Sequence, residues 1–236
     1  VLVNPVAASQ AGRLTTLILS LVLAAALCAA PASAVPSNRD VTTHRVAIVG
    51  DSYTNGTEHG GLGAQAWPVR AWHTLARRGV PVVTDVAAEG RAGYDTVGNR
   101  GSFFRDLVVR AVRPDDTLVV LYGSRNDREV PPDQLTRAVR DTLLLVRRIA
   151  PTARLLVIGT PWPTADVPTD IIGIRDVLAA QARAAGATFV DPIALRWFVD
   201  QPWLIGTDGV HPTDAGHAYM AEKIAPLIAA QLPQTV

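Results

Sequence analysis

From Arg45 onward the chain alternates short apolar runs rich in β-branched residues with longer amphipathic stretches, and that alternation constrains the fold more than any other feature. The runs at 46–49, 82–86, 117–122, 154–159 and 188–190 are too short to be core helices and read as strands. The stretches at 64–78, 102–112, 133–149 and 171–185 carry apolar residues at helical spacing, and a last one is predicted over 213–231. Pro212 and Thr213 mark the start of that last helix, and Pro226 inside it is expected to kink or shorten it. Strands separated by helices must run parallel. The expected fold is therefore α/β, a three-layer α/β/α sandwich around a doubly wound, parallel, five-stranded sheet. In such a sheet ligands bind beyond the C-terminal ends of the strands, so the residues following each run are the ones to search.

With 236 residues, 48% of them hydrophobic, the chain has enough apolar material for one sizeable core. A net charge of +1 without blocks of like charge gives no electrostatic case for nucleic acid or an anionic membrane as the main partner. The run at 14–30 follows Arg13 and precedes Ala32-Ser33-Ala34, a small-x-small pattern that a signal peptidase accepts. Residues 1–34 are thus expected to be a signal peptide that sends the domain at 35–236 out to the cell envelope or medium; an uncleaved anchor is the alternative. The single cysteine, Cys28, lies inside this segment, which leaves the domain without a disulfide, a thiol nucleophile or a thiolate metal site.

Four segments at strand ends carry chemistry. The first run closes on Gly50-Asp51-Ser52-Tyr53-Thr54, which puts a hydroxyl at the sheet edge where a helix can begin. A helix-capping turn would read the same way. No Gly-x-Ser-x-Gly elbow surrounds it, which argues against an α/β-hydrolase in the strict sense. A serine hydroxyl needs a base to take its proton and a third group to orient that base. Asp208-Gly209-Val210-His211 supplies both on one short loop before the last helix, although a helix-entry turn with an incidental histidine fits equally well. His44, His73 and His217 suit packed or exposed roles, and His59 suits a loop surface that touches substrate or solvent. Oxyanion donors are expected near Ser52: Gly90 or Gly93 after the second run, and Asn126 in Gly123-Ser124-Arg125-Asn126-Asp127 after the third. Tyr53, Trp162 and Trp203, with Trp197, Phe198 and Leu204, are candidates to line an apolar acyl pocket or to cover the core.

Taken as a set and in this order, these segments resemble the SGNH/GDSL hydrolase family over 46–228. The resemblance implies a flavodoxin-like sandwich and an esterase without metal or organic cofactor. It assigns Ser52 as nucleophile and first oxyanion donor, Gly93 and Asn126 as the other donors, and Asp208 with His211 as triad partners. Two positions depart from the family's pattern. Ala88 stands where the second block often has Asn, and Ser124 stands where the third block usually has Gly. The expected activity is hydrolysis of a small-molecule, lipid or glycan ester by a monomer, with a leaning toward lipid-like or medium-chain esters. Envelope acyltransfer or carbohydrate O-deacetylation with the same triad, and a non-catalytic secreted binding protein, are the alternatives.

Overall fold

The structure, a computed structural model, describes Val1 and residues 43–233. The apolar run at 14–30, Cys28 and the cleavage site at Ala34 fall outside the described residues. The unit that begins at Val41 holds everything below. No helix among the described residues is long and apolar enough to cross a membrane.

Five parallel strands form one sheet in the order β2-β1-β3-β4-β5: β1 His44–Gly50, β2 Val82–Ala88, β3 Leu118–Tyr122, β4 Arg154–Ile158 and β5 Thr188–Val190. This is the flavodoxin-like strand order. Among the described residues the α-helices are α1 Ser52–Asn55, α2 Trp67–Arg77, α3 Phe104–Ala111, α4 Pro132–Ile149, α5 Thr169–Ala184 and α6 Asp214–Gln231. All the predicted strands and helices are present, together with the short α1 at the sheet edge where the sequence allows a helix to begin.

Alternation along the central strands sorts side chains into two cores, because successive residues of a strand point to opposite faces. Ala47, Val49, Val119, Leu121 and Val157 meet α3, α4 and α5 through Leu107, Val139, Leu143 and Leu178. On the other face Val46, Ile48, Leu118, Val120 and Ile158 meet α2 and α6 through Leu75, Met220 and Ile224. Each fully buried Val, Leu or Ile contributes about 1.5–3 kcal/mol, so both faces of β1 and β3 hold the sheet at the centre of the molecule.

Pro226 does not shorten the last helix, and α6 runs through it to Gln231. A proline removes one N–H and crowds one turn. Here Ile224, Ala225 and Ile228 around it are all fully buried, and that packing holds the helix together.

The order of the strands fixes where a site can form. The chain leaves β1 toward β2 on one side and then crosses to β3 on the other, so the crevice beyond the C-terminal ends of β1 and β3 is the topological switch point. Ser52 follows β1 and Asn126 follows β3.

Candidate active site

Asp51 caps α1, its carboxylate accepting the Tyr53 N–H at 2.9 Å. Gly50 has to be glycine, since a Cβ there would stand 2.2 Å from Thr54 Oγ1. The turn is thereby tight enough to put Ser52 at the first position of the helix, where its N–H has no intrahelical acceptor.

His211 Nε2 lies 3.0 Å from Ser52 Oγ, and His211 Nδ1 lies 2.6 Å from Asp208 Oδ2. The other Asp208 oxygen accepts the Val210 and His211 amides at 2.9 and 3.0 Å. Burial alone would push the Asp208 carboxyl up, but the Val210 amide, the His211 ring and the His211 amide outweigh it and hold the group down at about 2. A carboxylate that stays ionised fixes the Nδ1–H tautomer of His211 and leaves the Nε2 lone pair facing the serine hydroxyl.

Several contacts hold this loop in place. Gly206 N–H donates to the His211 carbonyl at 2.7 Å, and Gly209 turns the chain with φ 67°. The Tyr53 hydroxyl donates to the Val210 carbonyl. His59, a loop histidine in the sequence pattern, lies with its ring within 7° of parallel to His211 and its Nε2 3.4 Å from Asp208 Oδ2. His59, Asp208 and His211 also offer three metal-ligand atoms within 4.8 Å of one another. Both His211 nitrogens are already engaged, one with Ser52 and one with Asp208.

A cavity of about 590 Å³ opens beside Ser52 and His211, with Asn126 and Gly90 in its wall. Asn126 Nδ2 donates to the Ala92 carbonyl at 2.9 Å and to Asp51 Oδ2 at 3.3 Å. Ser124, in the family's glycine place, caps the 3-10 turn Arg125–Glu129 by accepting the Asn126 N–H at 3.0 Å.

Gly93 needs a correction. Its N–H is committed to the Thr96 carbonyl at 2.8 Å, it does not line the cavity, and a Cβ on it would meet Asp127 Oδ1 at 2.4 Å. It is a glycine because Asp127, which accepts the Tyr94 and Asp95 amides, packs against it. Gly90 is the one of the two that faces the cavity.

The aromatic candidates also move. Tyr53 is 3% exposed, in the core among Tyr122 and Phe198, and acts on the His211 loop from behind. Trp162 is not in the cavity wall, and its ring lies under Arg125. Trp203 is 63% exposed and away from the cavity, whereas Trp197, Phe198 and Leu204 are core. Two groups that sequence reasoning passed over matter here. Asp51 is a buried carboxyl that desolvation pushes up to about 7, and Arg125 lines the cavity. Their places in the first and third blocks were the only signal.

The model of the GDSL-like lipase/acylhydrolase family matches residues 48–219, which include every residue of this site. The chain belongs to that family. It is an ester-hydrolysing enzyme of GDSL type. This GDSL hydrolase is 58% identical over 220 residues to the GDSL lipase Rv0518 of Mycobacterium tuberculosis, with 92% of this chain and 94% of that one covered. Its fold is similar to that of a lipase/acylhydrolase from Enterococcus faecalis (TM-score 0.67, 14% identity, 82% of this chain and 100% of that one). It is also similar to that of a family two carbohydrate esterase from Clostridium thermocellum in complex with cellohexaose (TM-score 0.63, 18% identity, 80% of this chain and 64% of that one).

Proposed function

We propose that the enzyme is an exported serine esterase that works through an acyl-enzyme on Ser52. The observation that carries this reading is the unbroken hydrogen-bonded chain from Asp208 through His211 to Ser52 at the cavity wall. His211 removes the Ser52 proton as Oγ attacks the ester carbonyl, and the imidazolium that forms is held by the ionised Asp208. The carbonyl oxygen, now negative, takes hydrogen bonds from the Ser52 N–H, the Gly90 N–H and Asn126 Nδ2. Collapse breaks the ester C–O bond, and His211 returns its proton to the leaving alkoxide. Water, deprotonated by the same histidine, then attacks the acyl-enzyme and releases the acid.

Val210 supplies the single hydrocarbon side chain in the cavity wall; the rest is charged, polar or glycine. Such a wall gives a long acyl chain few hydrocarbon side chains to pack against, and burial of apolar area, at about 25 cal/mol per Å², is what holds such a chain. A short acyl group on a polar alcohol fits it, in place of the lipid-like ester suggested by the aromatic residues of the sequence.

Hydrolysis of p-nitrophenyl esters from acetyl to palmitoyl by residues 35–236, beside Ser52→Ala, tests this. The expected result is fastest turnover of the acetyl ester and none by the variant. Turnover that survives the substitution would remove Ser52 as nucleophile, and a palmitoyl optimum would overturn the short-acyl reading.

A further inference from the structure

Arg91, Arg100 and Arg125 all line the cavity that holds Ser52. Two carboxylates share the wall, Glu58 and Glu89. Glu89 is buried and belongs to Arg100: its Oε1 accepts the Arg100 amide at 2.5 Å and the Ser102 amide at 3.2 Å, and its Oε2 lies 3.8 Å from both Arg100 and Arg110. The Arg100 guanidinium is further tied to the Ala88 carbonyl at 2.9 Å. Glu58 is exposed and lies 3.9 Å from His59.

Arg91 and Arg125 are left. Among the described residues neither has a carboxylate within 4.0 Å. Arg125 is nevertheless fixed, with its guanidinium carbon 4.6 Å above the Trp162 ring, and its Nη1 is buried with no hydrogen-bond partner. A buried donor on a charged group is costly to leave unpaired, and the atom that relieves it best is an anionic oxygen. Arg91 sits at the cavity in the left-handed region, φ 68°, a conformation that disfavours any side chain and persists only where the surroundings hold it.

We propose that Arg91 and Arg125 form an anion subsite, and that the substrate is an ester whose alcohol part carries a carboxylate or a phosphate. The proposal rests on the serine-esterase reading only in placing the subsite beside the reacting bond. An anionic group on the alcohol would occupy the two guanidinium groups, and the acyl carbon would stay at Ser52. A neutral alkyl ester would bring neither guanidinium group an anionic partner: Arg91 is exposed to solvent, and Arg125 has near it only the buried Asp51, beyond 4.0 Å, and the Tyr53 hydroxyl.

The test uses three acetyl esters that differ only in charge: 4-acetoxyphenylacetamide, 4-acetoxyphenylacetate and 4-acetoxybenzylphosphonate. Their affinity for Ser52→Ala is read by calorimetry and their turnover is read with the unsubstituted enzyme. The carboxylate or the phosphonate is expected to bind about ten-fold more tightly than the amide, and about 0.5 M salt should reduce that advantage. Whichever anion leads identifies the substituent. Arg91→Gln and Arg125→Gln, each added to Ser52→Ala, should each bring the anion-to-amide ratio toward one, with Arg125→Lys retaining part of it. Equal affinity for all three esters, or a ratio that both glutamine variants leave intact, overturns the subsite. Tight anion binding without turnover by the unsubstituted enzyme would support the subsite and overturn the esterase reading. Turnover of amide and anion at equal kcat/KM would do the reverse.

Discussion

Asn126 and Asp51 meet across the mouth of the switch point, the Asn126 side-chain amide donating to Asp51 Oδ2 at 3.3 Å while the other Asp51 oxygen caps the helix of Ser52. One buried carboxyl thus joins the Ser52 turn to the loop after β3. Burial opposes its charge and pushes it up to about 7. The amide of Tyr53 and the nearby Arg125 pull the other way without overcoming it.

Asp51→Asn separates the cap from the charge. The unfolded chain loses the Asp51 proton near 3.8 and the folded one near 7, so the stability associated with this group is full below 3.8 and declines as pH rises through 7. Asparagine caps the helix without titrating. The variant should gain stability over the natural chain between pH 4 and pH 8 by on the order of 4 kcal/mol. Denaturant unfolding across that range checks it, and a difference that stays flat with pH would falsify the account.

His217 titrates in the opposite sense. Burial lowers it to about 4, with Asp214 opposing that and Arg70 and His211 adding to it. Its Nδ1 accepts the Trp67 N–H at 3.3 Å. Stability from the neutral ring is complete above the ordinary value of 6.5 and is lost as pH falls through 4, on the order of 3 kcal/mol. His217→Gln should flatten that acid loss in thermal melts between pH 7 and pH 4.

Asp208 stays ionised down to about 2, so protonation of this carboxyl is not expected to limit activity anywhere above about pH 3. Asp208→Asn keeps the shape and loses the charge that fixes the His211 tautomer. The expected fall in kcat is about 10⁴-fold, with thermal stability changed far less. A loss of only a few-fold would take Asp208 out of the proton path.

On the proposed mechanism Asn126→Ala removes an oxyanion donor, and it should lower kcat by about 10²–10³-fold while KM changes little. Loss confined to KM would make Asn126 a binding residue instead.

The two glycines of the second block should behave differently. Gly93→Ala drives a methyl into Asp127, 2.4 Å away, and should lower the melting temperature along with activity, at a cost of about 1–3 kcal/mol. Gly90→Ala keeps its N–H and meets only the Asn99 side chain, at 3.1 Å, so it should fold normally and lose less activity than Gly93→Ala. Thermal melts beside ester hydrolysis separate the two, and equal melting temperatures would return Gly93 to the cavity.

The sequence by itself determined the strands, because a two-residue alternation between two helical layers leaves a pattern of Val, Leu and Ile that no other layout shares. It also determined the order of the chemistry-bearing segments: Ser52, Asn126, Asp208 and His211 each stand at a strand end or on the closing loop, and a parallel sheet gathers strand ends at one edge. Donor choice was beyond it, since whether Gly90 or Gly93 faces the cavity depends on the Thr96 carbonyl and the Asp127 carboxylate, which arrive through turns and from another loop. The tertiary structure alone decided the character of the cavity. The aromatic residues could line an apolar pocket or cover the core by sequence, and Tyr53, Trp197 and Phe198 are drawn into the core by the area they bury, while arginines from two separate loops take the wall. Through-space neighbours settle burial and charge pairing, and local sequence does not carry them.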